Sequence, residues 1–173
     1  MRIVVSGTHA TGKSTLISDF ALLHPEFAVL PDPFDLVDEG PGSGSFVAQL
    51  RFSAERLLDP DLPRAVIAER GPLDFLAYLA AVDGLGRSAA AGELVRREAP
   101  LAARAMAEVD LLVLLAPEDI AVPDDEDPEL RDAMAEALLD LVDDPDLTGT
   151  ARVLELQGDP ATRLAGLRGA VSG

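Results

Sequence analysis

The 173-residue chain carries 31 acidic side chains against 14 basic ones, a net charge of −17, and it has no cysteine. That length suits one domain with a real core, and 48% hydrophobic residues at a mean hydropathy of +0.18 argue against wholesale disorder. The acidity argues against a nucleic-acid backbone or an anionic membrane as partner, since both call for a clustered basic face, and the missing thiols exclude disulfides and thiolate metal sites.

The opening "MRIVVSG" leads straight into an apolar strand over 2–6 with no leader pattern, and no later run approaches the roughly 18 apolar residues of a membrane span, so a cytoplasmic protein is expected. This strand runs into "GTHATGKST" at 7–15, followed by a helix over 13–24. Gly7, Gly12, Lys13 and Ser14 fill the pattern Gly-x-x-x-x-Gly-Lys-Ser/Thr. The glycines permit backbone angles that turn amide N–H groups around a phosphate chain at the positive end of the helix. Lys13 can reach the terminal phosphates as a compact charge on a flexible stem, and Ser14 offers a hydroxyl to Mg²⁺. The loop from Gly7 through Thr8, His9, Ala10 and Thr11 to Thr15 therefore reads as a nucleoside-triphosphate cradle. Lys13 is the only lysine beside thirteen arginines, which marks it as a position where arginine does not serve. His9 is read as a solvent-facing filler of the loop, and His24 as a helix C-terminal residue set against the dipole.

A strand over 27–31 follows, then a glycine- and proline-rich loop over 38–45 and a helix over 45–58. On that helix Gln49, Phe52 and Arg56 share a face, which suits either an aromatic, amide-bearing acceptor or a half-buried helix with Phe52 in the core. The strand over 65–69 leads into "AERGPLDFLAYL" and a helix over 72–82, placing Glu69 and Arg70 at the carboxyl end of a strand beside the cradle. An acid there can hold the water shell of Mg²⁺ and an arginine can clamp transferring phosphate oxygens; a surface ion pair is the plainer reading. Phe75 and Tyr78 are expected in the core. "DGLG" at 83–86 satisfies a short GTPase pattern but follows a helix, and a chain without asparagine has no Asn-Lys-x-Asp guanine-reading motif.

A helix over 89–107 contains Pro100, which is expected to kink or split it. A strand over 110–116, an acidic loop, a helix over 128–142 capped by Asp127 with Pro128 in its first turn, a strand over 152–156 and a helix over 160–171 complete the chain. Apolar strands alternating with longer helices predict an α/β fold around a parallel sheet covered on both faces, as a single domain over 1–173.

Four segments, "VVSGTHATGKSTL", "VIAERGPLDFLAYL", "DEDPELRDAM" and "VLELQGDPATRLAGL", resemble in order and spacing the P-loop AAA-type kinase-like family that includes the nicotinamide riboside kinase domain of NadR. The second is also similar to the Asp/Glu-Arg motif of deoxynucleoside kinases. The resemblance covers most of the chain and thins between 32 and 60. It implies a three-layer α/β/α P-loop NTPase fold, nucleoside-kinase-like, whose five-stranded parallel sheet has the order 2-3-1-4-5. It also implies ATP and Mg²⁺ as cofactors and a lid over about 118–145 whose arginine closes on the phosphates. Arg131 matches that arginine; an exposed charge paired with an acid is the other reading. Asp32, with Asp35 in reserve, matches the carboxylate that takes the acceptor's proton, and Gln157 and Arg163 match residues flanking an adenine edge. The lid here is preceded by "DDEDPE", an acidic departure that fits weak closure or a cationic substrate.

The expected function is ATP-dependent phosphoryl transfer to a hydroxyl of a nucleoside-like acceptor, by a monomer or homodimer. Three alternatives stand beside it. One is a regulatory ATPase acting through a protein partner. Another is a nucleoside-monophosphate kinase, for which only Arg51 and Arg56 offer extra cations. The third is a degenerate kinase fold that only binds nucleotide.

Overall fold

In the computed structural model, which describes residues 1–36, 42–116 and 127–172, the apolar runs form β1 (Arg2–Ser6), β2 (Ala28–Leu30), β3 (Val66–Glu69), β4 (Leu111–Leu115) and β5 (Arg152–Leu156). Every adjacent pair is parallel, in the order β2-β3-β1-β4-β5. Between the strands run α1 (Lys13–Leu23), α2 (Ser43–Leu58), α3 (Pro72–Gly84), α4 (Ala91–Met106), α5 (Pro128–Val142) and α6 (Pro145–Thr148), and α7 (Pro160–Ser172) follows β5.

Successive residues of a strand point to opposite faces, so the central strands β1, β3 and β4 each feed two cores. Ile3 and Val5 of β1 pack with Leu16, Ile17 and Phe20 of α1 and Leu167 of α7. Val4 between them joins Leu50, Phe75, Met106 and Leu138 from α2, α3, α4 and α5 on the other face. Helices thus cover both faces, which is why the central strands read as continuous apolar runs. The result is a three-layer α/β/α fold.

The strands and long helices lie within about two residues of their expected bounds, as frayed ends generally allow. Two short elements were not foreseen: a 3₁₀ turn, Pro33–Asp35, and α6. Each is built on an Asp-Pro pair, with Asp32 accepting from the Phe34 N–H at 3.0 Å and Asp144 from the Asp146 N–H at 2.9 Å. Pro100 does not split α4, which runs unbroken from Ala91 to Met106. The proline sits on the exposed side of the helix, where water can serve the carbonyl that its missing N–H leaves unbonded. Asp127 caps α5 as expected, accepting from the Leu130 N–H at 3.1 Å, and Arg87 pairs with both Asp127 and Glu129 at that helix start. Residues 37–41 of the glycine-rich loop, and 117–126 of the acidic loop and the expected lid, lie outside the described residues.

β1 lies at the centre of the sheet between β3 and β4; the connection that leaves β1 runs to β2 on one side, and the one that leaves β3 crosses to β4 on the other. This is the switch point where open α/β sheets gather ligands at their strand ends. The pairing of Val5 with Glu69 brings the end of β3 beside the loop that leaves β1.

Candidate active site

Residues 7–12 connect β1 to α1. Gly7 has φ 148°, and a Cβ there would stand 2.9 Å from the Leu115 carbonyl oxygen; Gly12 begins α1 at φ 84°. Neither place suits an L side chain. Lys13 is buried and turned back on its own loop, its Nζ donating to the Thr8 carbonyl at 2.7 Å, and Thr11 Oγ1 donates to the same oxygen at 3.0 Å. Burial, helped by Arg70, pushes the Lys13 ammonium down to about 8, while Asp74, Asp32 and Glu69 pull it back up.

Ser14 Oγ donates to Glu69 Oε1 at 2.8 Å. Burial raises the Glu69 carboxyl above its ordinary range and Asp32 adds to this, against the Ser14 hydrogen bond, Lys13 and Arg70. Two adjacent oxygens, one carrying a charge that burial disfavours, suit a hard divalent cation that takes its other ligands from phosphate and water. Among the described residues no group of three or more His, Cys, Asp or Glu could hold a metal by itself.

Arg70 follows β3 directly, is fully buried, and has φ 60°, a strained value for a residue with a side chain. Its Nε donates to Asp32 Oδ2 at 2.9 Å and its Nη1 to the Gly7 carbonyl at 3.0 Å, while Nη2 has no hydrogen-bond partner among the described residues. The guanidinium lies 5.0 Å from the Phe34 ring centroid and 5.7 Å from that of Tyr78. Burial works against its charge, but Tyr78, Asp32 and Asp74 outweigh it and raise the pKa.

Asp74, to which the sequence reading assigned no role, ties these parts together. It is buried and accepts from Ser6 Oγ at 2.6 Å, the Gly7 N–H at 3.1 Å and the Gly71 N–H at 2.8 Å, with Arg70 Nη1 3.7 Å away. Burial raises its carboxyl pKa, opposed by Arg70, Ser6 and the two amides. The local signal was its place at the third position of α3, behind Gly71 and Pro72, where an acid returns to the cap.

A cleft of about 430 Å³ is lined by residues 9–15 with Asp32, Asp35, Glu69 and Arg70. Of the expected site residues it thus gathers His9, Ala10, Thr11, Gly12, Lys13, Ser14, Thr15, Asp32, Glu69 and Arg70. Gly7 and Thr8 face a second, mostly apolar cavity of about 410 Å³ under α5, which Gln157 also lines. Arg131 lies in the first turn of α5, half-buried, and does not line the cleft; its Nε and Nη2 have no hydrogen-bond partner among the described residues.

Around the acceptor side, Asp32 is bonded at both oxygens, Oδ1 by the Phe34 N–H and Oδ2 by Arg70, whereas Asp35 is exposed at the cleft wall. Phe34 packs on Phe75 at 5.4 Å and Tyr78 at 5.8 Å, and Phe46 stacks on Tyr78 at 4.8 Å. Phe75 and Tyr78 are core residues, as expected. Gln49 is buried in α2 with Oε1 unpartnered among the described residues. Arg56 lies 4.8 Å from the Phe52 ring centroid and donates to the Pro31 carbonyl at 2.9 Å, while Arg51 is engaged by Glu98 of α4 at 2.7 and 3.0 Å. Arg163 is buried against the loop, with Nη1 donating to the Thr11 carbonyl at 2.6 Å.

No protein-family model and no curated protein sequence matches the chain. Solved structures do match it in fold. Deoxyadenosine kinase from M. mycoides superposes with a TM-score of 0.76 at 11% identity, covering 99% of both chains. Thymidylate kinase from Candida albicans gives 0.70 at 14% identity over 99% of this chain and 90% of that one. NadR in complex with NR gives 0.65 at 18% identity over 98% of this chain and 50% of NadR, so the chain spans half of that protein. At these identities the likeness is one of fold alone, and the fold is one that nucleoside and nucleotide kinases have.

Proposed function

We propose that this chain is an ATP-dependent kinase that moves the γ-phosphoryl group to a hydroxyl of a nucleoside or nucleoside-like acceptor. The observation that carries the reading is the convergence of Lys13, the Ser14–Glu69 pair and the Arg70–Asp32 pair on one cleft at the carboxyl edge of the sheet. A structural ion pair alone does not account for a strained arginine buried beside a phosphate-type loop.

In this reading the loop amides and Lys13 hold the phosphate chain. Ser14 and Glu69 would hold Mg²⁺, which when bound would neutralise charge on the phosphate oxygens. Arg70, fixed by Asp32, Asp74 and the Gly7 carbonyl, presents its charge to the transferring group without having to reorganise. The acceptor oxygen attacks the γ-phosphorus, the bond to the ADP oxygen breaks, and the hydroxyl proton passes to Asp32, with Asp35 as the reserve base. Arg131, at the start of α5 and outside the cleft, would have to move toward it to reach the phosphates. An acceptor already phosphorylated is less well served: Glu98 holds Arg51, and Arg56 is spent on the Pro31 carbonyl. Neighbours solved with dATP and with NR are consistent with nucleoside-type ligands in this architecture.

The test is an ADP-release assay with Mg-ATP against nucleosides, nicotinamide riboside, nucleoside monophosphates and amino-sugars. Release that depends on one acceptor class supports the proposal; slow release indifferent to all of them favours the regulatory ATPase.

A further inference from the structure

Three carbonyls of the phosphate-type loop are each held by a cation from a different element. Arg70 holds Gly7 O at 3.0 Å, Lys13 holds Thr8 O at 2.7 Å, and Arg163 holds Thr11 O at 2.6 Å. The first two cations belong to the cleft already described. Arg163 comes from α7, 152 residues further along the chain, and does not line the cleft.

Its placement is built. Asp159 accepts from the Thr162 N–H at 2.8 Å and its carbonyl from the Arg163 N–H at 3.0 Å, which fixes the first turn of α7. Leu164 and Leu167 then seat that helix in the same core as Leu16 and Ile17 of α1. Arg163 is 4% exposed, and a Cβ on Gly12 would stand 3.4 Å from its Nη1, so the guanidinium lies directly against the junction of loop and helix. So placed, Nη1 keeps a hydrogen-bond donor fixed against the Thr11 carbonyl.

The use follows from peptide geometry. The chain has no cis peptide bonds among the described residues, and in a planar trans peptide the C=O and the following N–H point in opposite directions. Anchoring Thr11 O on Arg163 therefore turns the Gly12 N–H away from α7. Gly12 lines the cleft, and amides turned inward are what such a loop offers an anion.

We propose that Arg163 is a positioning residue for the triphosphate: it locks the 11–12 peptide so that the Gly12 amide is set before the nucleotide arrives, and it couples α7 to the phosphate loop. It acts on the phosphate chain, not on the edge of the base. The proposal rests on the nucleotide-binding reading, so the test separates the two. Wild-type protein is titrated calorimetrically with Mg-ATP and with inorganic tripolyphosphate, a ligand without a base; failure to bind either one removes the nucleotide reading and this proposal with it. With wild-type binding in hand, Arg163→Met weakens both ligands by the same factor, about 10- to 100-fold, at unchanged stoichiometry and with the acceptor KM unmoved. A loss confined to ATP would put Arg163 at the base and overturn the proposal, as would binding equal to wild type. Should the methionine variant not fold, Arg163→Lys keeps the charge and a donor, and a matched several-fold loss on both ligands is expected of it.

Discussion

Lys13 and Arg70 are both buried cations beside the same loop, yet they are not interchangeable. Lys13 reaches a single carbonyl with a compact ammonium, whereas Arg70 spreads a planar fork between Asp32 and Gly7 O. Lys13→Arg is therefore expected to leave the protein folded, as circular dichroism and thermal melting would show, and to abolish ATP turnover; wild-type-like turnover would break this account of the only lysine in the chain. The two candidate bases separate in the same way. Asp32→Asn removes the proton acceptor and the partner of Arg70 together, and should lower kcat by about 10²- to 10⁴-fold. Asp35→Asn touches no such pair and should cost less than about 10-fold. Steady-state kinetics on both variants decides between them.

Between α2 and α4 the buried carboxylate of Glu98 accepts two hydrogen bonds from Arg51 and one from Arg97 at 2.9 Å. The Arg51 hydrogen bond, helped by Arg97, holds the Glu98 pKa below its ordinary value against the effect of burial. A depressed carboxylate stabilises the fold above its unfolded pKa, and that stability is lost as pH falls through the folded value. Glu98→Gln should thus cost about 1 kcal/mol near neutral pH, a cost that shrinks as pH drops below the usual glutamate range, measured by urea unfolding at several pH values. The long elements were legible because their apolar runs are continuous or helically periodic. The 3₁₀ turn at Pro33–Asp35 and α6 were not, since an Asp-Pro pair reads equally as a plain turn. The helix is not split at Pro100 because the hydrogen bond lost there is an exposed one. The loop from Gly7 to Thr15 declared itself by local spacing. Asp74 and Arg163 act over separations of 67 to 68 and 152 residues, and no local pattern says which distant side chain a sheet will bring to a loop.

At the scale of the molecule, a net charge of −17 surrounds a cleft whose attraction for phosphate comes from a few buried cations. Long-range repulsion is screened by salt while the buried contacts are not, so kcat/KM for ATP should hold or rise as NaCl goes from about 10 to 200 mM. A steep fall would mean that exposed cations do the capturing. The fold sets β1 at the centre of the sheet and brings the ends of β1, β2 and β3 to one edge, so cradle, cation pair and candidate base meet without a further domain. The most direct test of phosphoryl transfer follows the γ-phosphoryl group itself: incubate the protein with γ-labelled ATP, Mg²⁺ and the acceptor panel, with Lys13→Ala as the blank, and separate the products. Label is expected in an organic phosphate ester of one acceptor class, absent with the variant. Label appearing only as inorganic phosphate, at the same rate with every acceptor, would contradict it.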